Sequence, residues 1–154
     1  MILISAMTRD RVIGAGDGMP WSIPDEYAQF LDFVRGQVVV MGRRSWEIFG
    51  GDLGESENLV ISRSVTEMPG ARVLPSLEAA LEAGRASGKQ LFVAGGARVY
   101  AQALPLADAM YLSTIRGDYA GDAYFPEFDR KEWEIVEERA HPDFDFVIYR
   151  RRRR

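Results

Sequence analysis

Short apolar runs that alternate with helical patterns constrain the fold of this chain more than any other feature. Four such runs occupy residues 2–7, 38–41, 59–61 and 91–94. Continuous apolar runs of this length are typical of strands that are buried on both faces of a sheet. Because segments with helical periodicity lie between them, the sequence predicts an α/β fold with a mostly parallel central sheet.

The helical segments have an apolar stripe and recognisable ends. In the first segment, four apolar residues recur at helical spacing on one face: Tyr27, Phe30, Leu31 and Val34. Pro24 suits the first turn of this helix, and Gly36 can end it. Two further helices are expected over residues 76–86 and 97–104, and a short one begins after Gly42.

The last part of the chain has a different pattern. Residues 133–139 and 144–149 alternate apolar and polar side chains, which predicts an antiparallel hairpin at one edge of the sheet. No repeat or shift in composition marks a second domain. We therefore expect one domain over residues 1–154, with a twisted, mostly parallel sheet, helices on both faces and this C-terminal hairpin.

The composition excludes several kinds of site. The chain has no cysteine, which excludes a disulfide framework, a thiolate metal site and a cysteine nucleophile. Histidine and carboxylate side chains form no cluster with metal-ligand spacing, so we predict no metal. The apolar start is too short for a signal peptide or a membrane span, so we expect a cytoplasmic protein that contacts no membrane.

Charge gives little support for a nucleic-acid partner. The formal net charge is −4, whereas nucleic-acid-binding domains are usually basic. Residues 150–154, however, are consecutive arginines. We interpret this run as the frayed, solvated end of the last strand. Non-specific attraction to a polyanion such as RNA is the alternative.

Glycine, hydroxyl and arginine residues follow three of the predicted strands, in the segments 42–46, 62–64 and 95–98. In open α/β sheets, ligands bind beyond the carboxyl ends of the strands. Each segment taken alone is also a common structural turn. Together they predict a polyphosphate site made of backbone N–H groups and arginines. The number of arginines suits a ribose 2′-phosphate, and therefore favours NADPH over NADH.

Residues 14–18 are rich in glycine but do not form a dinucleotide-binding fingerprint. The stretch lacks the G-x-G-x-x-G spacing, and Pro20 and Trp21 follow it instead of a helix. A flexible loop is the better interpretation. Glycine-rich loops beside an active site often act as lids.

Glu26 is the most informative single residue. It lies one turn before Phe30, at the edge of the apolar stripe of the first helix. A carboxyl group in an apolar pocket has a raised pKa, which suits it to donate a proton or to bind an N–C–N edge through two hydrogen bonds. The alternative is that Glu26 and Asp25 only stabilise the start of the helix electrostatically.

Several strings in this chain resemble those of the dihydrofolate reductase family in order and spacing. They are residues 10–14 (DRVIG), 19–21 (MPW), 40–43 (VMGR) with Trp46 and Glu47, 95–100 (GGARVY) and 121–126 (GDAYFP). The resemblance extends over residues 2–149, which is nearly the whole chain.

This resemblance implies that NADPH delivers hydride to C6 of 7,8-dihydrofolate while N5 gains a proton, which supplies tetrahydrofolate for one-carbon metabolism. It implies that Glu26 holds the pterin head and promotes protonation of N5, with Trp21 and Ser113 supporting it. It also implies a small-molecule substrate, antifolate binding and a monomer.

The resemblance assigns the other site residues to two sets. The substrate-pocket positions are Ile4, Ala6, Tyr27, Phe30, Phe49 and Leu53. The cofactor positions are Ala6, Ile13, Gly14, Met19, Gly42, Arg43, Arg44, Ser45, Ser62, Arg63, Ala94, Gly95, Gly96, Ala97, Arg98, Val99, Tyr100 and Gln102. The Gly95–Gly96 bond matches a cis peptide of the family.

One departure from the family pattern affects the expected substrate. Ser56 stands where the family has an arginine that clamps the glutamate carboxylate of folate, and Asp52, Glu55 and Glu57 surround it. Dihydrofolate reduction is the first functional hypothesis. The second is reduction of a tail-free dihydropterin or a related pyrimidine, which needs no arginine at position 56. A binding protein that contacts RNA through the arginine run is the third.

Overall fold

The computed structural model of the protein describes residues 1–16 and 18–153. Its described part contains the strands β1 (Ile2–Thr8), β2 (Val12–Gly14), β3 (Val38–Gly42), β4 (Glu57–Ile61), β5 (Arg72–Leu74), β6 (Leu91–Val93), β7 (Ala109–Ile115), β8 (Ala123–Tyr124), β9 (Trp133–Ala140) and β10 (Phe144–Arg151). The helices are α1 (Pro24–Val34), α2 (Arg43–Phe49), α3 (Leu77–Arg85) and α4 (Ala97–Ala103). Single 3-10 turns occupy Gly50–Asp52, Leu104–Leu106 and Arg130–Glu132.

Eight strands form one sheet in the order β5-β4-β3-β6-β1-β7-β10-β9. The first six of these strands pair in parallel, whereas β10 pairs antiparallel with both β7 and β9. The predicted α/β fold with a mostly parallel sheet is therefore confirmed. The predicted C-terminal hairpin is confirmed as well, since β9 and β10 form the antiparallel edge.

Side chains of the central strands alternate between two apolar layers, one on each face of the sheet. Leu3 of β1 and Val40 of β3 belong to one buried cluster, and Ile4 and Met41 belong to the other. Burial on both faces explains why these strands have continuous apolar sequences. That residues 1–154 make up one domain remains a prediction.

Four strands have no clear signal in the sequence. β7 lies between β1 and β10, but its apolar run is interrupted by Ser113 and Thr114. β2, β5 and β8 are each three residues or shorter, so they are too short for a strand periodicity to appear.

The helix ends follow local capping chemistry. Ser76 caps α3, since its Oγ accepts a hydrogen bond from the Ala79 N–H over 3.1 Å. Gly88 lies three residues after the end of this helix and has φ +72°, a conformation that favours glycine. Helix α1 begins at Pro24, as predicted, and ends at Val34.

The arginine run is more ordered than the frayed end expected from the sequence. Strand β10 continues to Arg151, whose Nε donates to the Ala107 carbonyl over 2.8 Å and whose guanidinium lies 4.3 Å above the Trp133 ring. Arg150 pairs with Glu134. The prediction of a frayed end is therefore wrong for these two residues, and Arg154 lies outside the described residues.

In the described part of the chain, none of the helices is long and apolar enough to cross a membrane. No group of three or more histidine, aspartate and glutamate side chains in this part of the chain is arranged to hold a metal ion.

Candidate active site

A cleft of about 1250 Å³ opens beyond the carboxyl ends of β1, β3, β4 and β6. This is the place where ligands bind in open α/β sheets. Segments that follow these strands line it, together with the first half of α1 and the loop between β2 and α1. We call its two parts the arginine end (Arg43, Arg44, Arg63 and Arg98) and the substrate end (Glu26, Tyr27, Phe30 and Phe49).

The arginine end combines cationic side chains with helix starts that lack a side-chain cap. Helix α2 begins at Arg43 and α4 at Ala97, and neither has a capping side chain. The first N–H groups of a helix have no partner within it, so they are available to an anion in the cleft. Arg43 is held by Glu47 at 2.8 Å and by the Ser64 hydroxyl at 3.1 Å.

Glycines keep the floor of the cleft open between the two ends. The Gly95–Gly96 peptide is cis, as the resemblance implied. The Gly42 N–H donates to the Gly95 carbonyl over 2.9 Å, which joins the two strand ends. A Cβ atom at Gly96 would lie 3.2 Å from the Ser45 hydroxyl, and one at Gly42 would lie 3.3 Å from a methyl of Val99. Side chains at these positions would fill space along the cleft.

Glu26 is a buried carboxyl group on the cleft wall. Its exposed fraction is 6%, although it lies in the first turn of α1, where the preceding residue Asp25 is exposed. Burial raises the pKa of Glu26 from 4.5 to about 7, and a hydrogen bond with the Ser113 hydroxyl opposes that rise. Gln29 Nε2 also donates to Ser113, over 3.4 Å. A carboxyl group in this setting exchanges a proton near neutral pH.

Trp21 is buried but does not line the cleft. Its indole Nε1 has no hydrogen-bond partner among the described residues. Its ring meets the Tyr119 ring edge-on at 5.8 Å. An unpaired N–H in a buried place is costly, and a ligand atom or water would satisfy it. The predicted support of Glu26 by Ser113 is thus a direct contact, whereas Trp21 makes none.

Aromatic rings form the apolar wall of the substrate end. Tyr27 lies 6.0 Å from Phe30 and 6.5 Å from Phe49, measured between ring centroids. All three line the cleft, as do the predicted residues Ile4 and Ala6. Leu53 does not, because it is packed in the core with an exposed fraction of 1%. Direct contact between Leu53 and a ligand is therefore not favoured by its position.

The glycine-rich loop lies over the cleft. Ile13, Gly14, Gly16, Gly18 and Met19 line it, and Asp17 lies outside the described residues. The loop is held from two sides: Gly16 N–H donates to Asp122 over 3.4 Å, and its carbonyl accepts from Arg44 over 3.3 Å. These bonds connect the loop with the segment before β8 and with α2.

Every residue predicted for the cofactor lines this one cleft. Sequence reasoning missed other lining residues, namely Ser5, Met41, Ile48, Ile61, Pro75, Ser76, Leu77, Glu78, Asp122 and Ala123. The segment 75–78 had a partial signal, because Ser76 caps the predicted helix α3, but the strand β5 before it could not be recognised. Asp122 had no signal in the sequence, because its place at the cleft depends on a contact with the distant loop residue Gly16.

Ser56 points away from the cleft. Its hydroxyl donates to the Val34 carbonyl at the end of α1 over 2.8 Å. The nearby Arg35 is engaged by two carboxylates, at 2.9 Å by Asp32 and at 2.8 Å by Glu55. Neither position presents an unmatched cation to a ligand in the substrate end.

Comparisons with known proteins point to one family. The family model described as "Dihydrofolate reductase" matches residues 1–151. The dihydrofolate reductase of Bacillus subtilis (strain 168) is 33% identical over 158 residues, covering 97% of this chain and 93% of that protein. Dihydrofolate reductase type A13 of Escherichia coli is 40% identical over 135 residues, covering 87% and 82%. The dihydrofolate reductase of Neisseria gonorrhoeae is 39% identical over 137 residues, covering 88% and 84%.

Proposed function

This chain belongs to the dihydrofolate reductase family and is an oxidoreductase that reduces dihydrofolate, and from that premise we propose that NADPH is its hydride donor and Glu26 its acid. The observation that carries the proposal is the layout of the cleft. A buried carboxyl group with a raised pKa occupies one end and a cluster of arginines occupies the other. The test is steady-state oxidation of NADPH with dihydrofolate.

The residues of the arginine end fit a phosphorylated nucleotide. When bound, NADPH supplies the hydride. Arg43, Arg44 and Arg63 would neutralise its phosphates, and the Gly95–Gly96 segment, free of side chains, would let the dinucleotide approach the backbone closely. Ser62 lies at the same edge, and its hydroxyl accepts the backbone N–H of Val65 over 3.1 Å, which fixes the turn.

Glu26 would hold the polar edge of the pterin head as a carboxylate, and in its protonated form it would promote protonation of N5 through a water. Its burial makes this role possible, because a carboxyl group with a pKa near 7 is partly protonated at neutral pH. Ser113 would orient the carboxyl group, and Trp21 would direct its unpaired N–H toward a water in the same network. The rings of Phe30 and Phe49 would pack against the head and exclude solvent.

Cofactor preference gives the first testable prediction. We expect kcat/KM for NADPH to exceed that for NADH by about tenfold or more, because one charge-assisted contact to a phosphate contributes roughly 1.5–3 kcal/mol. Arg63→Gln should narrow this ratio, since Arg63 lines the cleft. Arg72→Gln is the matched control, because Arg72 lies on the edge strand β5 outside the cleft lining. Equal kcat/KM values for the two cofactors in the unaltered protein would contradict the assignment.

A tail-free dihydropterin or a related pyrimidine is the second candidate substrate. The observation that favours it is the engagement of Ser56 by Val34 and of Arg35 by Asp32 and Glu55. A carboxylate clamp needs an arginine with its N–H groups available. Such a substrate would keep the contact with Glu26 and would need no clamp.

Ser56→Arg tests the missing clamp directly. The new side chain must leave the Val34 carbonyl and reach toward the cleft, where it can pair with a glutamate carboxylate. We expect the Kd of methotrexate and the KM of dihydrofolate to fall by about tenfold, as a charge-assisted pair allows. Trimethoprim has no glutamate, so its Kd should hardly change. If methotrexate and dihydrofolate respond no more than trimethoprim does, position 56 does not limit tail binding.

We also propose that the protein is a cytoplasmic monomer that binds antifolates. The absence of cysteine fits a reducing compartment. A protonated diaminopyrimidine would pair with the ionised Glu26 carboxylate in the apolar pocket, where the charge pair is little screened. Sedimentation tests the monomeric state, and antifolate titration tests the binding of these inhibitors.

A further inference from the structure

A hydrogen bond joins a residue that lines the substrate end to a carboxylate just behind the cleft lining. Tyr27 lines the cleft from α1, and its hydroxyl donates to Asp52 Oδ2 over 2.6 Å. Asp52 is exposed and ends the 3-10 turn that follows α2. A substituent on a ligand held at Glu26 passes this carboxylate if it leaves the cleft between α1 and that turn.

The bond fixes the direction of the Asp52 side chain. The Tyr27 hydroxyl stays protonated because burial, and then the hydrogen bond to Asp52, raise its pKa above the usual value. A neutral phenol has one proton to donate, and here Asp52 receives it. The carboxylate is therefore held against Tyr27, with less freedom to turn into solvent than an unpaired exposed aspartate has.

The charge balance on this side of the cleft is negative. Asp32, Asp52 and Glu55 bring three carboxylates, and Arg35 pairs with the first and the third of them. Asp52 is bonded to the uncharged Tyr27. The arginines that line the cleft belong to other segments, which follow β3, β4 and β6. An anionic substituent near Tyr27 therefore meets a fixed negative charge.

We propose that the Tyr27–Asp52 pair is a specificity determinant that disfavours anionic tails, so that this reductase prefers dihydropterins whose side chain is absent, neutral or cationic. The inference rests on the proposed function, because it assumes that the pterin head binds at Glu26. Asp52 acts on the substrate's tail through charge, and Tyr27 is a positioning residue that acts through Asp52.

The experiment measures kcat and KM for two substrates in four forms of the enzyme. The substrates are dihydrofolate, which carries a glutamate, and a dihydropterin without a tail. The forms are the unaltered chain, Asp52→Asn, Tyr27→Phe and the double variant. We expect Asp52→Asn to raise the ratio of kcat/KM for dihydrofolate to that for the tail-free substrate by about fivefold, through KM for dihydrofolate. A unit charge a few ångströms away in a half-solvated site has an effect of this order.

Tyr27→Phe keeps the ring on the cleft wall and removes only the hydroxyl. It should raise the same ratio by about twofold, and it should add nothing once Asp52 is asparagine, because its effect passes through that carboxylate. The gain in Asp52→Asn should also shrink with added salt, which a purely structural effect would not do. Asp143→Asn, in the turn between β9 and β10, is the matched control and should leave the ratio unchanged.

The outcomes separate this inference from the proposed function. Turnover of both substrates with a ratio that rises in Asp52→Asn supports the inference. If both substrates are turned over but the ratio of their kcat/KM values is the same in Asp52→Asn and Asp143→Asn, the inference is overturned. The proposed function is then unaffected. No NADPH oxidation with either substrate overturns both.

Discussion

Glu26→Gln is expected to lower kcat by about a hundredfold or more near neutral pH, while the protein stays folded. Glutamine keeps the size of the side chain and its contact with Ser113, but it cannot supply a proton, and general acid catalysis typically contributes two to four orders of magnitude. The measurement is pre-steady-state and steady-state NADPH oxidation with dihydrofolate. Asp25→Asn is the matched control, because Asp25 is the neighbouring carboxylate of the same helix turn and is exposed.

The pH profile gives this prediction a second readout. Since the pKa of Glu26 is raised to about 7, kcat/KM should fall as the pH rises above that value, and Glu26→Gln should lose this dependence. A Glu26→Gln enzyme with unchanged turnover and an unchanged profile would exclude the proposed acid.

The Glu26→Gln variant should be more stable than the unaltered chain near neutral pH, although it is less active. The folded state holds the Glu26 proton more tightly than the unfolded state, so this group's contribution is complete below pH 4.5 and is lost as the pH rises through 7. The free energy of unfolding falls by about 3 kcal/mol over this range, for a pKa shift of this size. Glu26→Gln should therefore gain stability relative to the unaltered chain between pH 5 and pH 8 in urea unfolding. If Glu26→Gln is less stable than the unaltered chain at pH 8, its loss of turnover reflects unfolding.

Phe92→Ala is expected to have the largest effect on stability, about 3–5 kcal/mol. Phe92 lies on β6 between β3 and β1, is fully buried, and meets the Tyr111 ring edge-on at 5.8 Å. Removing the ring leaves a cavity in the same apolar layer as Ile4 and Met41, which line the cleft. Because small domains are stable by only 5–15 kcal/mol, this variant should lose a large share of its folding free energy.

Two control variants define the cause of that loss. Phe92→Leu keeps most of the buried volume and should cost clearly less than Phe92→Ala. Leu106→Ala removes a similar apolar side chain that is 52% exposed, and it should change the unfolding free energy by less than about 0.5 kcal/mol. If Phe92→Ala unfolds at the same urea concentration as Leu106→Ala, the apolar layer under the cleft is not the source of stability inferred here.

Much of the fold follows from local sequence patterns. The buried runs that became β1, β3, β4 and β6 are apolar because both faces of the sheet are covered, and the stripe of Tyr27, Phe30 and Val34 marks α1. Strand β7 was missed because Ser113 interrupts its apolar run. The same Ser113 hydroxyl makes a hydrogen bond with Glu26, a contact between distant residues that no local pattern encodes.

The site was predictable where its residues follow strands and unpredictable where it depends on distant contacts. Residues after β3, β4 and β6 converge because the carboxyl ends of parallel strands lie at one edge of the sheet. The bonds between Tyr27 and Asp52 and between Gly16 and Asp122 join residues 25 and 106 positions apart. No periodicity or local motif encodes such pairs, so only the folded chain reveals them.

The most direct test of the account is NADPH oxidation by the purified protein with 7,8-dihydrofolate, followed side by side in the unaltered chain and in Glu26→Gln. The account predicts dihydrofolate-dependent consumption of NADPH, with tetrahydrofolate formed in equal amount, and a rate about a hundredfold or more lower in the variant at neutral pH. A folded protein that oxidises no NADPH with dihydrofolate, or that does so equally fast without the Glu26 carboxyl group, would contradict it.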